Sequence, residues 1–171
     1  IHDADLHAVV VATGRATRLT PETPRASVRL ARYAAGGRTV LVATDREDEH
    51  VTLLALDRPS GAWRPLTRGL AANVEDLTVL PDGLTAVVVL NVAGTSELHR
   101  LDLRTGARRA LPGIPRGVIS GLRAARSAPV IGFTISAATA PPDACALDLA
   151  GERLVRFTHA ERAGLLEASL V

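Results

Sequence analysis

An all-β fold, a partial β-propeller of about three and a half four-stranded antiparallel blades, is what the sequence predicts, on three observations. A pattern of about 46 residues recurs along the 171-residue chain. Each recurrence holds short alternating or apolar stretches separated by turn residues, four to a full repeat, which is the layout of a propeller blade. No window carries the apolar period of an amphipathic helix over ten residues.

The recurrence is clearest in four segments: "DLHAVVVATGRATRLT" (5–20), "HVTLLALDRPSGAWRPLT" (50–67), "ELHRLDLRTGARRALP" (97–112) and "DACALDLAGERLVRFT" (143–158). Each reads as an alternating strand, a turn and a short second strand. They close on Leu19-Thr20, Leu66-Thr67, Leu111-Pro112 and Phe157-Thr158, spaced by 47, 45 and 46 residues.

Taken in order, the first segment supplies only the two outer strands of a blade. Three full repeats follow, each opening with two further strands. These are "VRLARY" (28–33) with "TVLVATD" (39–45), "VEDLTVL" (74–80) with "TAVVVLNV" (85–92), and "VISGLRAA" (118–125) with "VIGFTIS" (130–136). Ala-Gly-Gly, Pro-Asp-Gly and Arg-Ser-Ala-Pro join the pairs, and Pro and Gly there suit tight turns. The second strand of each blade is apolar on both faces, as a strand between neighbouring blades should be. The third and fourth strands are expected to alternate, with one face to water. The loops from second to third strand are read as "REDEH" (46–50), "AGTSE" (93–97) and "AATAPPD" (137–143), where Pro141 and Pro142 need not donate to a ladder. The propeller is placed at 1–160, and 161–171 is read as a linker.

Propellers close with about four to eight blades. Three and a half therefore read as about half of a seven- or eight-bladed ring, with open blade edges that favour self-association. The first residues show neither an initiating Met nor the regions of a signal peptide, so the chain reads as cut from a longer one.

Hydrophobic residues make up 47% and charged residues 22%, the balance of a folded domain. The longest apolar run is about "TAVVVL", far short of the roughly 18 residues of a membrane span. Cys145 is the only cysteine, so no internal disulfide forms and a cytoplasmic setting is the default. The isoelectric point of 9.4 accompanies a formal charge of only +2, and the arginines are spread along the chain, which argues against nucleic-acid binding.

No catalytic, cofactor-binding or metal site is expected. The acidic run Asp45 to His50 lacks the spacing of an EF-hand loop and reads as a solvated turn. The G-x-S-x-G elbow is absent: "GVISG" holds Ser120 one place late, and "GTSEL" ends on Leu98. His2, His7, His50, His99 and His159 fall in different repeats without metal-ligand spacing. Cys145 sits in an alternating strand and reads as a small buried residue. Trp63 and Tyr33 read as packing residues. Asp57, Asp102 and Asp148 occupy one repeat position, just before a turn, and are expected to bond that turn.

The last segment, "GFTISAATAPPDACALDLAGERLVRFTHAERAGL", resembles the final propeller blade of prolyl oligopeptidase family serine peptidases, and "ERAGLLEASLV" is similar to the linker entering their α/β-hydrolase domain. "TDREDEHVTLLALD" and "LPDGLTAVVVLNVAGTSELHRLDL" are similar to earlier blades. The resemblance implies a parent serine peptidase whose propeller caps the hydrolase domain, admitting peptides and excluding folded proteins. Its triad would lie in that hydrolase domain, the implied partner, and none of its residues has a match in this chain. The alternative is a binding or scaffold propeller resembling Tol-system or WD-repeat propellers, without peptidase activity.

Overall fold

In the computed structural model, which describes residues 4–23 and 25–161, the repeated segments become fourteen antiparallel strands in four sheets. A two-stranded sheet comprises β1 (His7–Val9) and β2 (Ala16–Arg18). Three four-stranded meanders follow. The first holds β3 (Val28–Ala34), β4 (Thr39–Thr44), β5 (Thr52–Asp57) and β6 (Trp63–Pro65). The second holds β7 (Asn73–Val79), β8 (Thr85–Val92), β9 (Thr95–Asp102) and β10 (Arg108–Ala110). The third holds β11 (Val118–Ala124), β12 (Val130–Ala137), β13 (Ala140–Asp148) and β14 (Arg153–Arg156). A two-strand half blade and three blades with strands in chain order make the partial β-propeller that the repeat predicts. The predicted linker at 161–171 lies, beyond residue 161, outside the described residues.

The chain divides into two compact units, one through residue 73 and one from residue 74. In the first unit the half blade lies on the first blade: Leu6 and Leu19 pack against Val40, Val42 and Leu56, and the Ala4 N–H donates to the Ala26 carbonyl at 3.1 Å. In the second unit the two blades share one core. Val87, Val89 and Leu98 of the second blade meet Leu122, Ile131, Phe133 and Leu147 of the third. Each such side chain, once fully buried, contributes about 1.5–3 kcal/mol. Polar stitches add direction to this packing. The Leu122 N–H donates to Asp76 at 3.2 Å and the Ala124 N–H to the Thr78 hydroxyl at 3.1 Å, each bond spanning 46 residues, one repeat. Ser96 receives the Ile119 N–H at 2.9 Å and donates its own N–H to the Gly117 carbonyl.

The closing pairs have a physical cause. The N–H of Leu19, Leu66, Leu111 and Phe157 donates to the carbonyl of Leu6, Leu53, Leu98 and Ala144, which ties each short outer strand to the third. In three repeats the next residue is Thr, and its hydroxyl accepts the N–H of that same third-strand residue: Leu6 to Thr20 at 3.2 Å, Leu53 to Thr67 at 2.7 Å and Ala144 to Thr158 at 2.8 Å. The repeat with Pro112 lacks the hydroxyl.

Three sequence expectations are corrected. The stretch 137–143 is not a loop: β13 starts at Ala140, and Pro141 and Pro142 stand opposite the single residue Ser136 in a bulge, where a missing N–H breaks no ladder bond. The loop at 93–97 shrinks to the two-residue turn Ala93-Gly94, both with positive φ, which fits the twist of a tight hairpin; Asn91 braces it by accepting the Gly94 N–H at 3.0 Å. Burial also departs from expectation. The third strand β5 is covered on both faces through Leu56, whereas the second strand β12 buries Ile131 and Phe133 but leaves Gly132, Thr134 and Ser136 half-exposed. Expectation holds for β4 and for most of β8.

Candidate functional site

A concavity of the first unit opens where the segment after β2 and the β4–β5 loop meet. Both segments must lie at the same end of the sheet, because antiparallel meanders place alternate connections at alternate ends. The cavity measures about 550 Å³, and its wall includes Asp5, Arg18, Thr20, Thr44, Arg46 and Trp63. This is within the range of sites that enclose a small organic molecule.

Two of the three arginines on this wall, Arg18 and Arg46, differ in how they are held. Arg18 is compensated: its guanidinium bonds Asp5 at 2.7 Å and lies 3.5 Å from Glu22. Asp5 also accepts the Thr20 hydroxyl at 3.0 Å. Desolvation works against its charge, yet the bonds from Thr20 and Arg18 hold its carboxyl below the usual range, so it stays ionised. Arg46 has no acidic partner among the described residues. It donates to the Thr23 carbonyl at 3.2 Å and lies over the Trp63 ring, 5.8 Å from the centroid. Trp63 in turn packs on the Val40, Val42 and Leu56 cluster.

The acidic run is engaged by neighbouring segments and by its own turn. Asp45 accepts the Ser27 N–H at 2.8 Å and its hydroxyl at 2.7 Å, Glu47 pairs with Arg68 at 2.7 Å, and Asp48 accepts the His50 N–H at 3.1 Å. That His50 N–H is what chiefly holds the Asp48 carboxyl below its usual range. Among the described residues no group of three His, Cys, Asp or Glu side chains is arranged to hold a metal.

The remaining singled-out residues are dispersed. Ser120 is exposed on β11, His7 and His159 are exposed, and His2 lies outside the described residues. His99 is buried on β9, its Nε2 at 2.8 Å from Glu97 and its Nδ1 without a partner. Cys145 is buried, and burial pushes its thiol pKa up, the opposite of what a nucleophile needs. Tyr33 is not a packing residue: it is exposed, with Arg58 5.6 Å from its ring centroid. The aspartates of the repeat position bond the following turn as expected. Asp102 accepts the Thr105 and Arg104 N–H groups at 2.8 and 2.9 Å, Asp148 that of Ala150 at 3.0 Å, and Asp57 that of Ser60 at 3.2 Å. Above all, the Thr105 N–H draws the Asp102 pKa down, as the Ser60 hydroxyl does that of Asp57.

Sequence reading did not assemble Arg46 with Trp63 and the segment after β2. Its one available signal was that the single Trp and the acidic run fall in the same repeat.

No protein-family model matches the chain, and no curated protein matches it. Solved structures do. TolB from Acinetobacter baumannii is similar at 15% identity and a TM-score of 0.74, over 91% of this chain and 37% of that one. Puromycin hydrolase is similar at 18% identity and a TM-score of 0.76, over 98% of this chain and 26% of that one. A prolyl endopeptidase is similar at 13% identity and a TM-score of 0.73, over 90% and 22%. These likenesses establish the propeller fold, and the chain spans between 22% and 37% of the length of these structures.

Proposed function

We propose that this chain is the non-catalytic propeller portion of a prolyl oligopeptidase-like serine peptidase acting on peptides. In that reading, residues 1–160 are the propeller and 161–171 lead to the hydrolase domain. The observation that carries it is the likeness to puromycin hydrolase over 98% of the chain, joined to the family-like sequence of the last blade. Its physical role is a size filter: a wall of packed blades passes an extended peptide and excludes a folded domain, while Ser, His and Asp act elsewhere in the parent. A cytoplasmic location belongs to the same reading, with Cys145 as the chain's single cysteine. Among the described residues no helix is long and apolar enough to cross a membrane.

The test is to read the coding region past Val171. G-x-S-x-G followed by Asp and then His is the expected result, and peptidase activity of the full product on short chromogenic peptides should follow. A stop codon or further blade repeats would overturn the proposal. They would favour the second reading, a binding propeller, which the likeness to TolB over 91% of the chain supports.

Self-association is part of either reading. Among the described residues β1 pairs with β2 alone, which leaves its other edge open, and Val9 at its end with Val10 and Val11 in the following turn are exposed without a charged residue among them. Sedimentation velocity on the isolated chain should show species larger than a monomer, and a single monomeric boundary would refute this.

A further inference from the structure

We propose that the cavity bounded by Arg46 and Trp63 binds a monovalent carboxylate carried on an apolar body, as at the C-terminus of a short peptide. Arg46 carries the argument. A guanidinium has five N–H donors, and here the Thr23 carbonyl takes one while the Trp63 face holds the plane in place. The remaining donors form a fork whose geometry matches a carboxylate.

The surroundings select among anions. Arg18, Arg25 and Arg46 line the cavity together with Asp5 and Glu22, so its lining carries a formal balance of one positive charge, and Arg18 is already held by both carboxylates. Asp5 and Glu22 also line the cavity and repel a multiply charged group such as a phosphate dianion. Val28, Val42 and the indole supply the apolar part of the wall. A volume of about 550 Å³ accommodates more than a bare carboxylate.

Trp63 is the only tryptophan of the chain, so intrinsic fluorescence reports on this cavity directly. The full chain would be titrated with acetyl-Ala-Ala-Leu bearing a free carboxylate, with its C-terminal amide, with N-acetyl-leucine and with inorganic phosphate. A saturable change with the free tripeptide, weakened about tenfold or more for the amide and for Arg46→Gln, is the expected result, as loss of a charge-assisted hydrogen bond dictates. Arg46→Lys, which keeps the charge but loses the fork, should fall between, and it serves the test should Arg46→Gln fail to fold by circular dichroism. Equal binding of N-acetyl-leucine would support the carboxylate site with a free small acid, not a peptide end, as the ligand. Equal binding of the amide, an unchanged affinity in Arg46→Gln, tighter binding of phosphate, or no response at all would each overturn the proposal. It stands or falls separately from the peptidase reading, which the coding region decides.

Discussion

Replacing Thr67 with Val tests why the repeats close on Leu-Thr. The two side chains are nearly the same shape, so Thr67→Val removes one acceptor and adds no cavity. That hydroxyl takes the Leu53 N–H at 2.7 Å. Thr67 is 3% exposed and Leu53 is fully buried, so water does not replace the lost partner. An unsatisfied buried donor costs about 1–3 kcal/mol. For a chain of this length each kcal/mol lowers the melting temperature by about 2–4 °C. The same bond recurs at Thr20, which is half-buried, and at Thr158, which is exposed, where water can take over. Differential scanning calorimetry of the three Thr→Val variants should therefore rank Thr67 as the most damaging, then Thr20, then Thr158, with Thr67→Ser close to the parent. Equal effects at all three sites, or a Thr67→Val chain as stable as the parent, would refute the reasoning that burial of one N–H sets the cost.

Gly117→Ala should destabilise by about 1–3 kcal/mol in denaturant melts, because its Cβ would press on the Ser136 carbonyl oxygen, a backbone atom with little room to yield. Asp82 should give stability that depends on pH. Desolvation opposes its charge, but the bonds from Thr85 and Leu84 win and draw its pKa below the unfolded value. A depressed folded pKa stabilises above about pH 4 and is lost as pH falls through the folded value. The stability gap between the parent chain and Asp82→Asn, measured by urea melts, should hold at pH 7 and close as the pH falls through the lowered folded pKa. Cys145 is buried with its thiol pKa raised, so a disulfide reagent should label it slowly in the native chain and rapidly in denaturant.

The blade plan was legible in the residues alone, because it rests on local physics. Alternation and apolar runs set the strands, Gly and Pro set the turns, and a recurring closing pair sets the period. The duty of Asp102 and Asp148 was legible for the same reason, since a carboxylate bonding the turn two or three residues ahead is a local event. Where one residue's role depended on a distant segment, the reading failed. Pro141 and Pro142 looked like a loop, and only the register against Ser136 shows that a bulge keeps them in a strand. β5 reads as one-sided, yet burial on both faces follows from what packs on it. Tyr33 and Trp63 looked alike as sparse aromatics, but one is exposed under Arg58 and the other forms a cavity wall under Arg46. The cavity itself was invisible in the sequence, because Asp5, Arg18, Arg46 and Trp63 span nearly sixty positions and meet only when the half blade docks on the first blade. Burial and charge compensation are properties of such distant encounters, so tertiary structure decides them.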